Sequence, residues 1–167
     1  MATSPLTAAG FRQVCAQFAT GVTVVTAERN PGQAYGMTAN SFTSVSLEPC
    51  LISICVDERS HLVALLKEKR RFGLSILKAE QQEVSVYFAQ ADQTPEGDAK
   101  LGIRYRWTAS KVPLLEEALG HMECRVVGSY VAGDHTIFLG EVQSAEVLAG
   151  EPLLFFRSKY RRVGPEV

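Results

Sequence analysis

The chain has no apolar run long enough to cross a bilayer, no surplus of one charge and no clustered cysteines, and each lack closes a class of function. A spanning helix needs about 20 consecutive apolar residues. With 17 Lys and Arg against 18 Asp and Glu, the formal net charge is -1 and the pI is near 6.3, which gives no basic footprint for nucleic acid. Membrane and nucleic acid are therefore not expected as partners. Four cysteines (Cys15, Cys50, Cys55, Cys124) and three histidines (His61, His121, His135) are scattered without a C-x-x-C pair or zinc-ligand spacing, so no metal is expected. Each cysteine has apolar neighbours, where a free thiol behaves as a small hydrophobe, and buried thiols are the expectation. There is no G-x-G-x-x-G after a strand, no P-loop, no G-x-S-x-G and no H-E-x-x-H, which excludes a doubly wound dinucleotide domain. Met1–Pro5 carry no basic segment followed by an apolar one, so no secretory signal is read and the cytoplasm is the expected compartment.

What is present is ordinary globular composition: 167 residues, 46% hydrophobic and 21% charged, suited to one domain over 1–167. Val22–Ala27 and Cys50–Val56 are rich in large apolar residues and read as strands of a packed sheet. Between them, Gly36-Met37-Thr38-Ala39-Asn40-Ser41-Phe42 has the extent of a strand but small and polar side chains, whose groups need water or a polar ligand. Arg29–Gln33 is dense in turn formers and predicts a hairpin leading into that stretch. On Cys50–Val56, Ile52, Ile54 and Val56 share one face, while Ser53 interrupts the other, formed with Leu51 and Cys55. Phe72–Leu77 is a further strand, again with small residues, Gly73 and Ser75, on one face.

Helical spacing places Phe11, Val14, Cys15 and Phe18 in one stripe and predicts a helix over 7–19, capped by Thr7, covering a flank of the sheet. Ser60 is an N-cap candidate for a helix carrying Leu62, Leu65 and Leu66; with Arg59 it is either a cap beside a solvated charge or a seat for a phosphate. Ala79–Ala89 predicts another helix, and Pro113–Gly120 a short one with proline at its start and glycine at its end. The segment 90–111 has no periodicity and reads as an ordered loop or a lid. Runs at 122–131 and 136–147 flank a tight turn, Ala132-Gly133-Asp134-His135. Many strands, only a few short helices and no βαβ alternation give a mainly β fold, a small antiparallel barrel.

Four stretches then carry a likeness: Phe18-Ala19-Thr20-Gly21 through Thr26, Gly36–Pro49, Gly133–Val142 and Pro152–Arg157. In matching order over about residues 10–163, they resemble the flavin reductase-like proteins with an FMN-binding split barrel, including reductase components of two-component flavin monooxygenases of the 4-hydroxyphenylacetate type. The resemblance implies an antiparallel, Greek-key split β-barrel with a few short flanking helices. It further implies an NAD(P)H-dependent flavin reductase that uses FMN or FAD with NADH or NADPH, pairs as a homodimer through Leu153–Phe156, and serves a separate oxygenase. By resemblance, Met37, Thr38, Ala39, Asn40 and Ser41 would line the flavin ring, Ser53, Ile54 and Cys55 would continue that wall, and Ser60 and His61 would approach the phosphate. Ser75 is a weaker flavin candidate, because the family commonly carries asparagine there. His135 on its turn would contact NADH, with Tyr160 and Arg161 of the basic tail holding the dinucleotide. A flavin carrier without NADH turnover is the rival reading; the related pyridoxamine-phosphate oxidase barrel is disfavoured by the Thr38–Ser41 strand.

Overall fold

The computed structural model describes residues 6–165, so Met1–Pro5 and the absence of a signal read there lie outside the described residues. Helix α1 (Ala8–Cys15) is followed by strands β1 (Thr20–Gly21), β2 (Thr23–Asn30), β3 (Gln33–Ala39), β4 (Thr43–Leu47) and β5 (Cys50–Asp57). Then come α2 (His61–Lys69), β6 (Arg71–Ile76), α3 (Gln82–Phe88), α4 (Pro95–Lys100), β7 (Tyr105–Trp107) and β8 (Pro113–Leu115). The long strands β9 (Gly120–Ala132) and β10 (His135–Val147) precede the short β11 (Leu154–Phe156) and β12 (Lys159–Arg161).

Seven strands form one antiparallel sheet in the order β3-β2-β6-β9-β10-β5-β4, with small sheets β1-β11-β12 and β7-β8 beside it. The fold is mainly β, and the sheet curls without closing: β3 and β4 end it on either side, as in a split barrel. Both predicted hairpins are present. Pro31-Gly32 joins β2 to β3 with Gly32 at φ 74°, the proline-then-glycine order a type II turn requires. Gly133-Asp134 joins β9 to β10 with Gly133 at φ 66° in the first loop position, where a left-handed residue matches strand twist.

β2 is buried on both faces, which is why its sequence is apolar without alternation. Val25 and Ala27 join Ile52, Ile54, Val56, Phe72, Leu74 and Phe138 in the main core, plugged by Leu62 and Leu66 of α2. Val24 faces the other way, into a second cluster with Leu77, Phe88, Leu115 and Leu153. β6 divides likewise: Phe72 and Leu74 point to the main core, whereas Ser75 accepts the Leu115 N–H at 3.1 Å under β8.

Several expectations are overturned. Pro113–Gly120 is not a helix: Pro113–Leu115 are buried, pair with β7 and dock on β6, where Gly73 has no side chain to keep the Pro113 carbonyl away. Tertiary burial overrides the local proline and glycine signals. The first helix stops at Cys15, and its apolar stripe covers no sheet, since Phe11, Val14 and Phe18 are 57%, 72% and 76% exposed. Only Cys124 is a buried thiol, pushed up to about 12 by desolvation, while Cys15 and Cys50 are exposed. The 90–111 segment contains α4, started by Thr94, whose hydroxyl accepts the Gly97 N–H, with Pro95 behind it, and also β7. Gly36–Phe42 is not one strand, because β3 ends at Ala39 and β4 begins at Thr43. Of the Leu153–Phe156 segment expected at a dimer contact, Leu153 is enclosed in the second cluster, while Leu154, Phe155 and Phe156 stay partly exposed.

The split is bridged where β3 runs out. The Ser41 hydroxyl donates to the Cys55 carbonyl at 3.0 Å and accepts the Cys55 N–H at 3.1 Å, standing in for a missing strand partner. Ser41→Ala is expected to lower unfolding free energy by about 1–3 kcal/mol in urea titrations, since both Cys55 backbone groups lose their partner. Gly73→Ala is expected to cost about 2–3 kcal/mol in the same titration, as the new methyl would sit 2.7 Å from Thr26 Oγ1 and closer still to the Pro113 carbonyl. Unchanged midpoints would contradict these two packing assignments.

Candidate functional site

Two hollows flank the seam between the end of β3 and β5. The larger, about 580 Å³, lies between Phe18–Gly21, Asn40–Thr43 and the outward face of β5 at Ser53 and Cys55, with Ile76 behind. The second, about 430 Å³, lies between Tyr35 and Met37 of β3, the Asp57–His61 lead into α2, and Phe88–Ala91 after α3. Ser53 and Cys55 reach the first because strand alternation sends Ile52, Ile54 and Val56 to the core.

Of the residues predicted to hold flavin, Asn40, Ser41, Ser53 and Cys55 line the larger hollow, and Met37, Ser60 and His61 line the second. Four others are placed differently. The Thr38 hydroxyl donates to the Ser85 carbonyl at 2.6 Å, so that side chain is turned to α3. Ala39 is buried, with its carbonyl accepting the Thr23 hydroxyl at 2.7 Å, and Ile54 is fully enclosed in the main core and paired with Phe138 of β10, so neither faces a hollow. Ser75 is fully buried and its hydroxyl is taken by Leu115, so it does not reach either hollow; Ile76, pointing the other way, does.

Backbone groups at the edge of β3 add what side chains do not. Gln93 clamps Gly36, its amide oxygen accepting the Gly36 N–H at 3.0 Å and its amide nitrogen donating to the Gly36 carbonyl at 2.7 Å. Gly36 therefore faces away from β2, and by the two-residue period of an antiparallel ladder the Thr38 N–H and carbonyl point out of the same edge toward the seam.

Charge gathers where β5 meets α2. Ser60 caps the helix, accepting the Leu62 N–H at 3.2 Å. Arg59 binds Asp57 through Nε at 3.0 Å and Nη2 at 2.7 Å, and this pairing holds the Asp57 carboxyl well below the usual carboxylate range. His135 lies opposite Asp57 in the β10–β5 ladder, and its Nδ1 is 2.8 Å from Asp134, whose carboxyl its proximity lowers. His135 is thus the ladder partner of a residue that lines the second hollow, and does not line it itself. Tyr160 and Arg161 do not join it. They border a separate hollow of about 640 Å³ with Glu80 and Glu83, and the Tyr160 hydroxyl is 2.9 Å from Ser85 Oγ.

Sequence reasoning missed Thr20, Gly21 and Phe42 in the larger hollow and Tyr35 in the second. The one available signal was Thr20-Gly21, a polar residue and a glycine heading an apolar strand.

A family model described as the flavin reductase like domain matches residues 15–164. An NADH-dependent flavin reductase from a Rhodococcus species is 40% identical over 152 residues, covering 90% of this chain and 83% of that protein. The reductase component of a 4-hydroxyphenylacetate 3-monooxygenase from Thermus thermophilus is 38% identical over 154 residues, covering 92% and 95%. An NADH:FAD oxidoreductase from Streptomyces globisporus, solved in complex with NAD and FAD fragments, superposes with a TM-score of 0.85 at 39% identity, covering 95% of this chain and 93% of that one. A split, mainly β sheet with its hollows at the open seam and this degree of likeness over nearly the whole length lead to one conclusion: the chain belongs to the flavin reductase-like family.

Proposed function

We propose that the chain, acting as one domain over 1–167, is an NAD(P)H-dependent flavin reductase that reduces FMN or FAD and supplies the product to a separate monooxygenase component. The observation that carries this reading is the larger hollow, where Phe18, Phe42 and Ile76 offer apolar surface and Asn40 and Ser53 offer polar groups at its walls. That donor set fits a flat ring with a polar edge. The Thr20 hydroxyl is buried without a hydrogen-bond partner, which is the mark of a site built to hold something polar.

A bound flavin would supply the redox chemistry, taking up a hydride from NADH. The chain's own residues orient and enclose. The outward backbone of Thr38 and the amide of Asn40 offer donors and acceptors to the ring's edge, with Ser41 holding that segment against β5. Ser60, His61 and Arg59 lie toward the phosphate end along the second hollow. His135, beside Asp57, contacts the nicotinamide donor. Homodimer formation is part of the proposal, supported by the uncovered apolar stripe Phe11, Val14 and Phe18 beside the larger hollow. We place the protein in the cytoplasm, where reduced nicotinamide and flavin are both at hand.

Steady-state oxidation of NADH and NADPH, followed at the nicotinamide absorbance with FMN or FAD added, tests the reading. Flavin-dependent loss of absorbance is expected; tight flavin binding without turnover would establish the carrier reading instead. His135→Ala is expected to raise the KM for NADH about tenfold, the scale of one or two lost hydrogen bonds, while flavin affinity measured by fluorescence quenching stays within about twofold. Equal loss of both would make His135 a structural turn residue.

A further inference from the structure

Thr20 opens β1, whose position is fixed by pairing of Thr20 with Phe155 and Gly21 with Leu154, and by the Val22 N–H donating to the Leu153 carbonyl at 3.2 Å. Its Oγ1 is the one buried side-chain oxygen or nitrogen without a hydrogen-bond partner among the described residues. Other buried hydroxyls are used: Thr23 donates to the Ala39 carbonyl at 2.7 Å, Thr26 to the Pro113 carbonyl, and Ser75 accepts the Leu115 N–H. A buried hydroxyl left unpaired carries an uncompensated desolvation penalty, so an evolved core replaces it with a methyl unless some state of the protein gives it a partner. Thr20 as a residue is only partly buried and lines the larger hollow with Asn40 and Ser53. A turn of about 120° about χ1 carries Oγ1 to the place of Cγ2, and Cγ2 to the place of Hβ, without moving the backbone, and is the route by which the hydroxyl would reach the hollow that Thr20 lines.

We propose that Thr20 is a flavin-binding residue whose hydroxyl turns into the hollow and hydrogen-bonds the polar edge of the ring. The inference rests on the flavin reductase reading and adds to it a contact on the short strand β1, opposite in sequence from the β3 and β5 positions. Because the ring is common to every flavin, the contact must count equally whatever the tail. A structural hydroxyl would behave otherwise, since its loss would weaken the fold and leave flavin affinity to follow.

The test titrates wild type, Thr20→Val and Thr20→Ser with riboflavin, FMN and FAD by quenching of flavin fluorescence, and records thermal unfolding of each protein without flavin. Thr20→Val is expected to bind all three flavins about five- to tenfold more weakly, the scale of one hydrogen bond, and Thr20→Ser to stay within about twofold of wild type. Without flavin, Thr20→Val is expected to unfold at the same temperature or higher, because a near-isosteric methyl replaces an unpaired hydroxyl. Wild-type affinity in Thr20→Val overturns the proposal. So does a loss confined to FAD, or a flavin-free midpoint lowered by more than about 4 °C. Wild type binding none of the three flavins would instead overturn the flavin reading itself, a result distinct from an unaffected Thr20→Val.

Discussion

An antiparallel sheet that curls without closing leaves two edge strands, and their backbone groups must be paired, covered or kept in contact with water. The structure solves this at β3 with side chains. Gln93 supplies an amide that imitates a neighbouring strand at Gly36, and Ser41 binds both backbone groups of Cys55 across the gap. Between those two clamps the edge at Thr38 is left open, and the hollows lie on either side of it. The site follows from the split: a closed barrel would have consumed these groups in a ladder, and an unclamped edge would have been free to pair with another chain.

The clamps also explain the small residues. Gly36 admits the Phe88 ring, which would lie 2.6 Å from an added methyl, and Thr38 admits the Ser85 carbonyl. On β6, Gly73 and Ser75 do the same for β8. Small side chains on β3 and β6 therefore serve the second core cluster at least as much as any ligand, and they let a thin second layer of α3 and β8 press directly on backbone. Only beyond Ala39, where β3 has ended, do Asn40 and Ser41 turn to the larger hollow.

This division marks what was legible in the sequence. Strong local signals carried through: the doubly buried run at Val22–Ala27, the alternation on Cys50–Val56, the Pro31-Gly32 and Gly133-Asp134 turns, and the Ser60 cap. Pro113–Leu115 was misread because proline followed by leucines has the same local pattern in a buried strand as at a helix start; contact with Gly73 decides between them, and that contact lies 40 residues away in the chain. Ser75 and Thr38 could not be assigned from sequence, since a polar residue on a strand looks the same whether its partner is a ligand or a backbone group of another layer. Tyr160 looked like a tail residue free to bind, yet its ring packs on Phe155 and its hydroxyl on Ser85. Asn40, Ser41, Ser53 and Cys55, named by the resemblance, come together at the larger hollow, whereas Thr20 and Gly21, which also line it, carried no assignment.

The start of α2 bears on how tightly such a site can hold an anion. A helix N-terminus attracts negative charge through its free N–H groups. Here most of them are engaged: Leu62 N–H by the Ser60 hydroxyl, Val63 N–H by the Ser60 carbonyl, Ser60 N–H by the Asp57 carbonyl and Arg59 N–H by the Asp57 carboxylate. Arg59 is itself paired with Asp57, so an incoming phosphate competes with a carboxylate that stays ionised well below neutral pH. The Arg59 side chain is also largely exposed, where solvent and salt screen any new ion pair. An anion arriving at this end would exchange partners rather than gain them, which leaves this end little to add to affinity beyond a modest hold. A reductase that must release its reduced product to another protein needs that modest hold, whereas a carrier that keeps its flavin would gain from a cationic seat left free.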